Sequence, residues 1–93
     1  MMTNSFSPPW KTLDVPPCEL GESPRYAHGM WVWLDIHQRK MFVCKISDLI
    51  EAQHLSSDIR VLSLPDEIAC ILPTAQPEEW IGMGRAGVWS ISL

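Results

Sequence analysis

Residues Cys18 to Ile36, CELGESPRYAHGMWVWLDI, restrict the possible folds more than any other stretch of the chain. The run Met30 to Leu34 is apolar throughout and holds Val32 between Trp31 and Trp33. An extended backbone there puts bulk on both sides, which predicts a strand buried on both faces. Glu22 stands apart from this pattern, a carboxylate at the lip of an apolar element. Gly21 before it frees the backbone, and Pro24 after it stiffens the chain.

The flanking segments arrange themselves around that strand. Residues 1 to 17 hold four of the eight prolines, each lacking a donor for a ladder, so this stretch reads as a lead-in arm anchored by Trp10. His37 to Lys40 is a polar turn, and Met41 to Cys44 completes an antiparallel hairpin with Met30 to Ile36. His37 has no second ligand-type residue at useful spacing and reads as a solvated turn residue. In Ser47 to Leu55 the period changes to a helical turn or long loop, with Asp48 and Glu51 as a weak capping pair and His54 exposed. Ile59 to Leu64 returns to strand character. After the breaker Pro65-Asp66-Glu67 come Ile68 to Leu72, Glu78 to Met83 and Val88 to Leu93, the last two joined by the small residues around Arg85.

A repeat links the two aromatic hairpins. Setting Trp33 on Trp80 aligns Leu34 with Ile81, Ile36 with Met83, Met41 with Val88 and Phe42 with Trp89 without a gap, a period of 47 residues. Propeller blades repeat at about 40–50 residues with four strands each. On this register Gly21–Tyr26, Met30–Ile36, Met41–Ile46 and Ile59–Leu64 form one blade, and the three later strands begin the next. The sequence thus predicts an all-β chain: a proline-rich arm over residues 1–17, then an incomplete β-propeller over 18–93, with blade one at 21–64 and three strands of blade two at 68–93. A small sandwich or partial barrel uses the same seven strands but leaves no open edge at Gly21–Tyr26.

Composition narrows the function classes. A net charge of −4 offers no basic face for phosphates, which disfavours nucleic acid as a partner. Cys18, Cys44 and Cys70 are an odd number without Cys-x-x-Cys spacing, which reads as reduced thiols of a cytoplasmic protein rather than a disulfide or zinc framework. The first residues show no basic segment followed by an apolar one, so neither secretion nor a membrane partner is expected. Ser23 lacks the G-x-S-x-G setting of a nucleophile elbow. Gly82-Met83-Gly84 lacks the helix and third glycine of a dinucleotide loop.

The order L-G-E-S-P, an aromatic, a W-V-W-L-D-I strand and a basic hairpin resembles the opening of the senescence-marker-protein/gluconolactonase/luciferin-regenerating-enzyme (regucalcin-like) family. The similarity is clear over Leu20 to Cys44, weaker to Leu93 and absent from residues 1 to 17. One departure is the short Ala27-His28-Gly29 connection, where members carry a longer, Asp-containing loop. The resemblance implies a six-bladed propeller and hydrolysis of small lactones of sugar acids, with a divalent cation, Ca²⁺ or Zn²⁺, as cofactor. It implies that Glu22 is a metal ligand. The remaining ligands of the family, an Asn and an Asp, and its substrate-contacting Arg and Asn residues lie in later blades and have no counterpart here.

Six blades of about 47 residues need on the order of 280 residues. The expected molecule is therefore a truncated homologue of the metal-dependent lactonase-like hydrolases, inactive alone and holding no metal tightly. The alternative is a non-catalytic interaction module. Two blades leave apolar faces bare, which would drive self-association, a ring of three copies included, or completion by another chain. Asp35, Asp66 and Glu67 sit at strand ends and turns, where solvated or capping roles are expected. A structural role for Glu22 would be to cap turn N–H groups or to pair with Arg25.

Overall fold

A computed structural model describes residues 15–45 and 59–93. The arm anchor Trp10, the segment Ser47 to Leu55 and His54 lie outside these residues. Seven strands follow one another: β1 (Gly21–Ala27), β2 (Met30–Asp35), β3 (Lys40–Lys45), β4 (Arg60–Ser63), β5 (Ile68–Pro73), β6 (Glu79–Gly84) and β7 (Val88–Ser92). They form two antiparallel meanders, sheet A in the order β1-β2-β3-β4 and sheet B in the order β5-β6-β7, and no helix occurs among the described residues. The all-β expectation and all seven strands are thus observed, with ends shifted by a residue or two. The strand expected to end at Ile36 stops at Asp35, which pairs with Lys40, because the Ile36 carbonyl leaves the ladder to accept the Arg39 N–H.

Turn chemistry fixes the registers. Ala27 pairs with Met30 across a two-residue connection in which His28 (φ 54°) and Gly29 (φ 76°) are both left-handed. That is a type I′ turn, whose twist matches the strands it joins. Lys40 to Val43 then pairs with Ser63 to Arg60, which closes sheet A.

The sheets pack face to face. Val32, Leu34, Met41 and Val43 of sheet A meet Ile68, Ile71, Trp80 and Ile91 of sheet B, with Leu64 between them. All nine are buried, and each such side chain contributes about 1.5–3 kcal/mol. Trp80 is fully buried, opposite Ile91 on β7. Beside it Gly82 leaves room for Ile68 and Ile91, whose side chains would lie 3.1 Å and 2.8 Å from a Cβ there.

The outer faces differ from the expectation that both are bare. On sheet A, Phe42, Cys44 and Ile59 are buried, packed with Trp33 against Val15 and Cys18 of the lead-in. On sheet B, Leu72, Met83 and Val88 are 44%, 49% and 68% exposed. The lead-in covers the Phe42–Cys44 part of the outer face of sheet A, while Tyr26 and Val61 on that face remain 55% and 48% exposed.

Candidate functional site

Strand β1 carries the Gly-Glu-Ser-Pro segment and is the edge strand of sheet A next to β5, the edge strand of sheet B. Its ladder with β2 is regular except between Glu22 and Arg25, where the register shifts at a bulge. Ser23 sits in that bulge in the left-handed region (φ 53°), a conformation that costs a non-glycine residue about 1–3 kcal/mol. A specific contact holds it there. Its buried Oγ accepts the Ile71 N–H at 3.1 Å.

Arg25 completes the connection. Its Nε–H donates to the Ile71 carbonyl at 3.1 Å, one terminal N–H to the Pro24 carbonyl at 3.1 Å, and the other lies 3.8 Å from the Cys70 Sγ. At the far end of the strand His28 Nε2 is 2.9 Å from the Thr74 carbonyl. Two backbone groups of an edge strand, the Ile71 N–H and C=O, are therefore met by side chains of the neighbouring sheet rather than left open to another strand. The bulge in Gly-Glu-Ser-Pro turns Ser23 and Arg25 into this seam.

Glu22 is exposed, and its backbone pairs with Leu34. The ion pair with Arg25 does not form, since that guanidinium is engaged by carbonyl oxygens. Nor does Glu22 cap a turn, and among the described residues no hydrogen bond reaches its carboxylate. A hard cation takes six to eight oxygens and a catalytic Zn²⁺ three protein ligands. Among the described residues no three His, Cys, Asp or Glu side chains assemble into such a set. One exposed carboxylate does not fit an ion on its own, and no chemical step through a metal follows from these residues.

Two other carboxylates, expected to be solvated or capping, are buried and capping. Asp35 is fully buried and accepts the N–H groups of Glu19 (2.7 Å), Leu20 (3.2 Å) and Gln38 (3.4 Å). Burial pushes its pKa up, but those three N–H groups, with His37 nearby, outweigh it and hold the carboxyl below the ordinary range. Asp66 is also buried and accepts the Ala86 N–H at 2.7 Å, the Trp89 indole N–H at 3.0 Å and the Glu67 N–H at 2.7 Å. The Ala86 bond lowers its pKa against the effect of burial, with the Trp89 and Glu67 bonds and Arg39 adding to the lowering. Glu67 remains at the surface in a 3.6 Å ion pair with Arg85. Asp35 therefore ties the lead-in to the end of β2, and Asp66 ties the β4–β5 connection to the β6–β7 hairpin. The sequence signals only the local part of each, the Gln38 N–H for Asp35 and the Glu67 N–H for Asp66; the other donors come from segments distant in the chain.

His37 is exposed in its turn, as its sequence context indicated. Cys18 and Cys70 are free thiols, and the Cys44 Sγ donates to the Lys45 carbonyl at 3.4 Å. Burial raises the Cys18 pKa and the charge of Asp35 adds to this, against a hydrogen bond with Trp33. Among the described residues no helix is long and apolar enough to cross a membrane. No family model matches the sequence, and comparison with curated proteins and with solved structures returns no match.

Proposed function

We propose that residues 18–93 form one blade and three strands of the next in a propeller of the gluconolactonase type and contribute Glu22 as one oxygen ligand to a divalent-cation site completed by other blades. The substrate class is a small lactone of a sugar acid. This stretch alone is inactive and holds no ion tightly, because among the described residues it supplies a single suitable carboxylate.

One observation carries the reading: the two sheets turn the equivalent faces of the repeat the same way rather than toward each other, although cross-strand pairing shifts by two residues between them. With Trp33 set on Trp80, the residues of sheet A that face away from sheet B, Trp33 and Phe42, correspond to those of sheet B that face sheet A, Trp80 and Trp89. Likewise Leu34 and Met41, which point into the core, correspond to Ile81 and Val88, on the far side of sheet B. A sandwich of two sheets turns equivalent faces toward each other. Successive blades turn them the same way around an axis, with first strands adjacent, as β1 and β5 are.

The test is a chimera in which residues 18–93 replace the first blade and the first three strands of the second blade of a gluconolactonase. Metal-dependent lactone turnover is expected, and Glu22→Ala should abolish both turnover and bound metal. A folded chimera that binds no metal, or turns over lactone regardless of Glu22, would sink the proposal. An interaction module is favoured by a different observation, the open face formed by Leu72, Met83 and Val88.

A further inference from the structure

The lead-in over sheet A lies on a surface that the repeat identifies as an interface. In the 47-residue register Trp33, Phe42 and Cys44 stand where Trp80, Trp89 and Ile91 stand in sheet B, and those three side chains are packed on the inner face of sheet A. Conversely, Ile81 and Val88 of the open face stand where Leu34 and Met41 receive sheet B. The molecule therefore carries both halves of the contact that already joins its own sheets, one half open and the other under Val15 and Cys18.

We propose that residues 15–18 are a strap that blocks head-to-tail association of this chain, and that lifting it lets the outer face of sheet A dock on the open face of sheet B of a second copy. The strap is held at its base by the N–H groups of Glu19 and Leu20 on Asp35 and by the Leu20 carbonyl, which accepts the Ile36 N–H at 3.1 Å. Beyond that anchor, among the described residues, it is held by apolar contact and by the hydrogen bond between Cys18 and Trp33. Docking of a second copy requires it to lift without unfolding the sheet beneath it. The contact is heterologous, so each copy uses a donor face and an acceptor face, and association continues past the dimer unless a ring closes. The inference uses the same register as the proposed function but depends neither on Glu22 nor on lactone chemistry.

The experiment uses the whole chain and light scattering after size exclusion. Wild type is expected to be monomeric. Val15→Asp puts a charge under the strap without touching its anchor at Asp35, and should give masses of two or more chains that rise with concentration. Alkylation of Cys18 reports on the strap, because this half-buried thiol with a raised pKa should react at least tenfold faster once uncovered. Val88→Asp alters only the acceptor face. It should leave the single variant monomeric and return the double variant to monomer, whereas collapse into non-specific aggregate would not respond to it. Excess wild type, with its acceptor open and donor covered, should cap Val15→Asp oligomers and lower their mass. The proposal fails if Cys18 becomes reactive while the variant stays monomeric, or if Val88→Asp does not suppress the association. Should Val15→Asp leave the strap in place, Val15→Asp combined with Cys18→Ser is scored by the same two mass measurements.

Discussion

Sheets A and B are both antiparallel meanders, yet the outer face of sheet A is partly covered by the lead-in, whereas Leu72, Met83 and Val88 leave that of sheet B open. The difference shows at single positions. Gly82 on the inner face of sheet B has Ile68 and Ile91 packed over the missing side chain, whereas Asp35 on the outer face of sheet A has three backbone N–H groups gathered on its carboxylate. Glycine lets another sheet approach closely. A buried carboxylate demands hydrogen-bond donors, and the lead-in supplies two of them. Within one chain, a sheet therefore covers the inner face of sheet B and the lead-in covers part of the outer face of sheet A.

The largest effect expected from this contrast is at the two equivalent tryptophans. Trp80→Ala opens a cavity between the sheets and should cost about 3–5 kcal/mol, enough to leave a domain of this size largely unfolded. Trp33→Ala faces the strap, stacks on Phe42 at 5.4 Å between ring centroids, and should cost only about 1–2 kcal/mol. Chemical denaturation of both variants measures the ratio. Equal costs would mean that the strap packs as tightly as a sheet.

Next in size is the seam between the edge strands. Ser23→Ala leaves the Ile71 N–H without its partner, while the left-handed backbone loses the contact that holds it, so a loss of about 1–3 kcal/mol is expected. Ser23→Gly removes the same hydroxyl but relaxes the backbone. It should be the less damaging of the two, and thermal melts of the pair separate the hydrogen bond from the strain.

Acid sharpens the comparison further, since each sheet has one buried carboxylate. Both Asp35 and Asp66 have folded-state pKa values below the unfolded value of about 3.9, so each adds stability that is complete above that pH and is lost as pH falls through it toward the folded-state value. Urea midpoints should hold steady from pH 7 to 5 and then drop steeply. Asp35→Asn should remove part of that drop and raise Cys18 reactivity, because the strap anchor weakens. Asp66→Asn should remove a comparable part and leave Cys18 unchanged.

The parts of this fold that sequence reading captured are those carried by local pattern. The Trp31-Val32-Trp33 run gives a strand, buried on its Val32–Leu34 face and half-buried at Trp31 and Trp33, and the His28-Gly29 pair and the residues around Arg85 give turns. The period from Trp33 to Trp80 gives two hairpins whose aligned residues share faces, but the pairing differs by two residues, Trp33 with Phe42 and Trp80 with Ile91. What it missed depends on partners distant in sequence. Nothing near Asp35 shows that residues 19 and 20 return to it, and a Pro-rich lead-in reads as an arm until Val15 and Cys18 are seen on Phe42. Ser23 and Arg25 were read for chemistry or for pairing with Glu22, whereas their partner is the Ile71 backbone, 46 residues beyond Arg25.

The smallest expected effect is at Glu22, which the resemblance makes the most important residue and the geometry makes the least engaged. Its carboxylate is exposed and has no hydrogen-bond partner among the described residues, while its neighbours Ser23 and Arg25 hold the seam. Glu22→Gln keeps the shape and takes away only the charge, so stability should change by no more than about 0.5 kcal/mol, as at surface sites remote from packed features. An ion that binds only the folded chain raises its stability in proportion to the logarithm of one plus the ratio of free ion to Kd. A single exposed carboxylate gives a Kd too weak for that increment to register at millimolar Ca²⁺. Melts of wild type and Glu22→Gln should therefore coincide with and without the ion. A calcium-dependent rise in wild type that the substitution removes would mean that Glu22 already has oxygen partners within this chain, and that the difference between the sheets includes a metal site on sheet A.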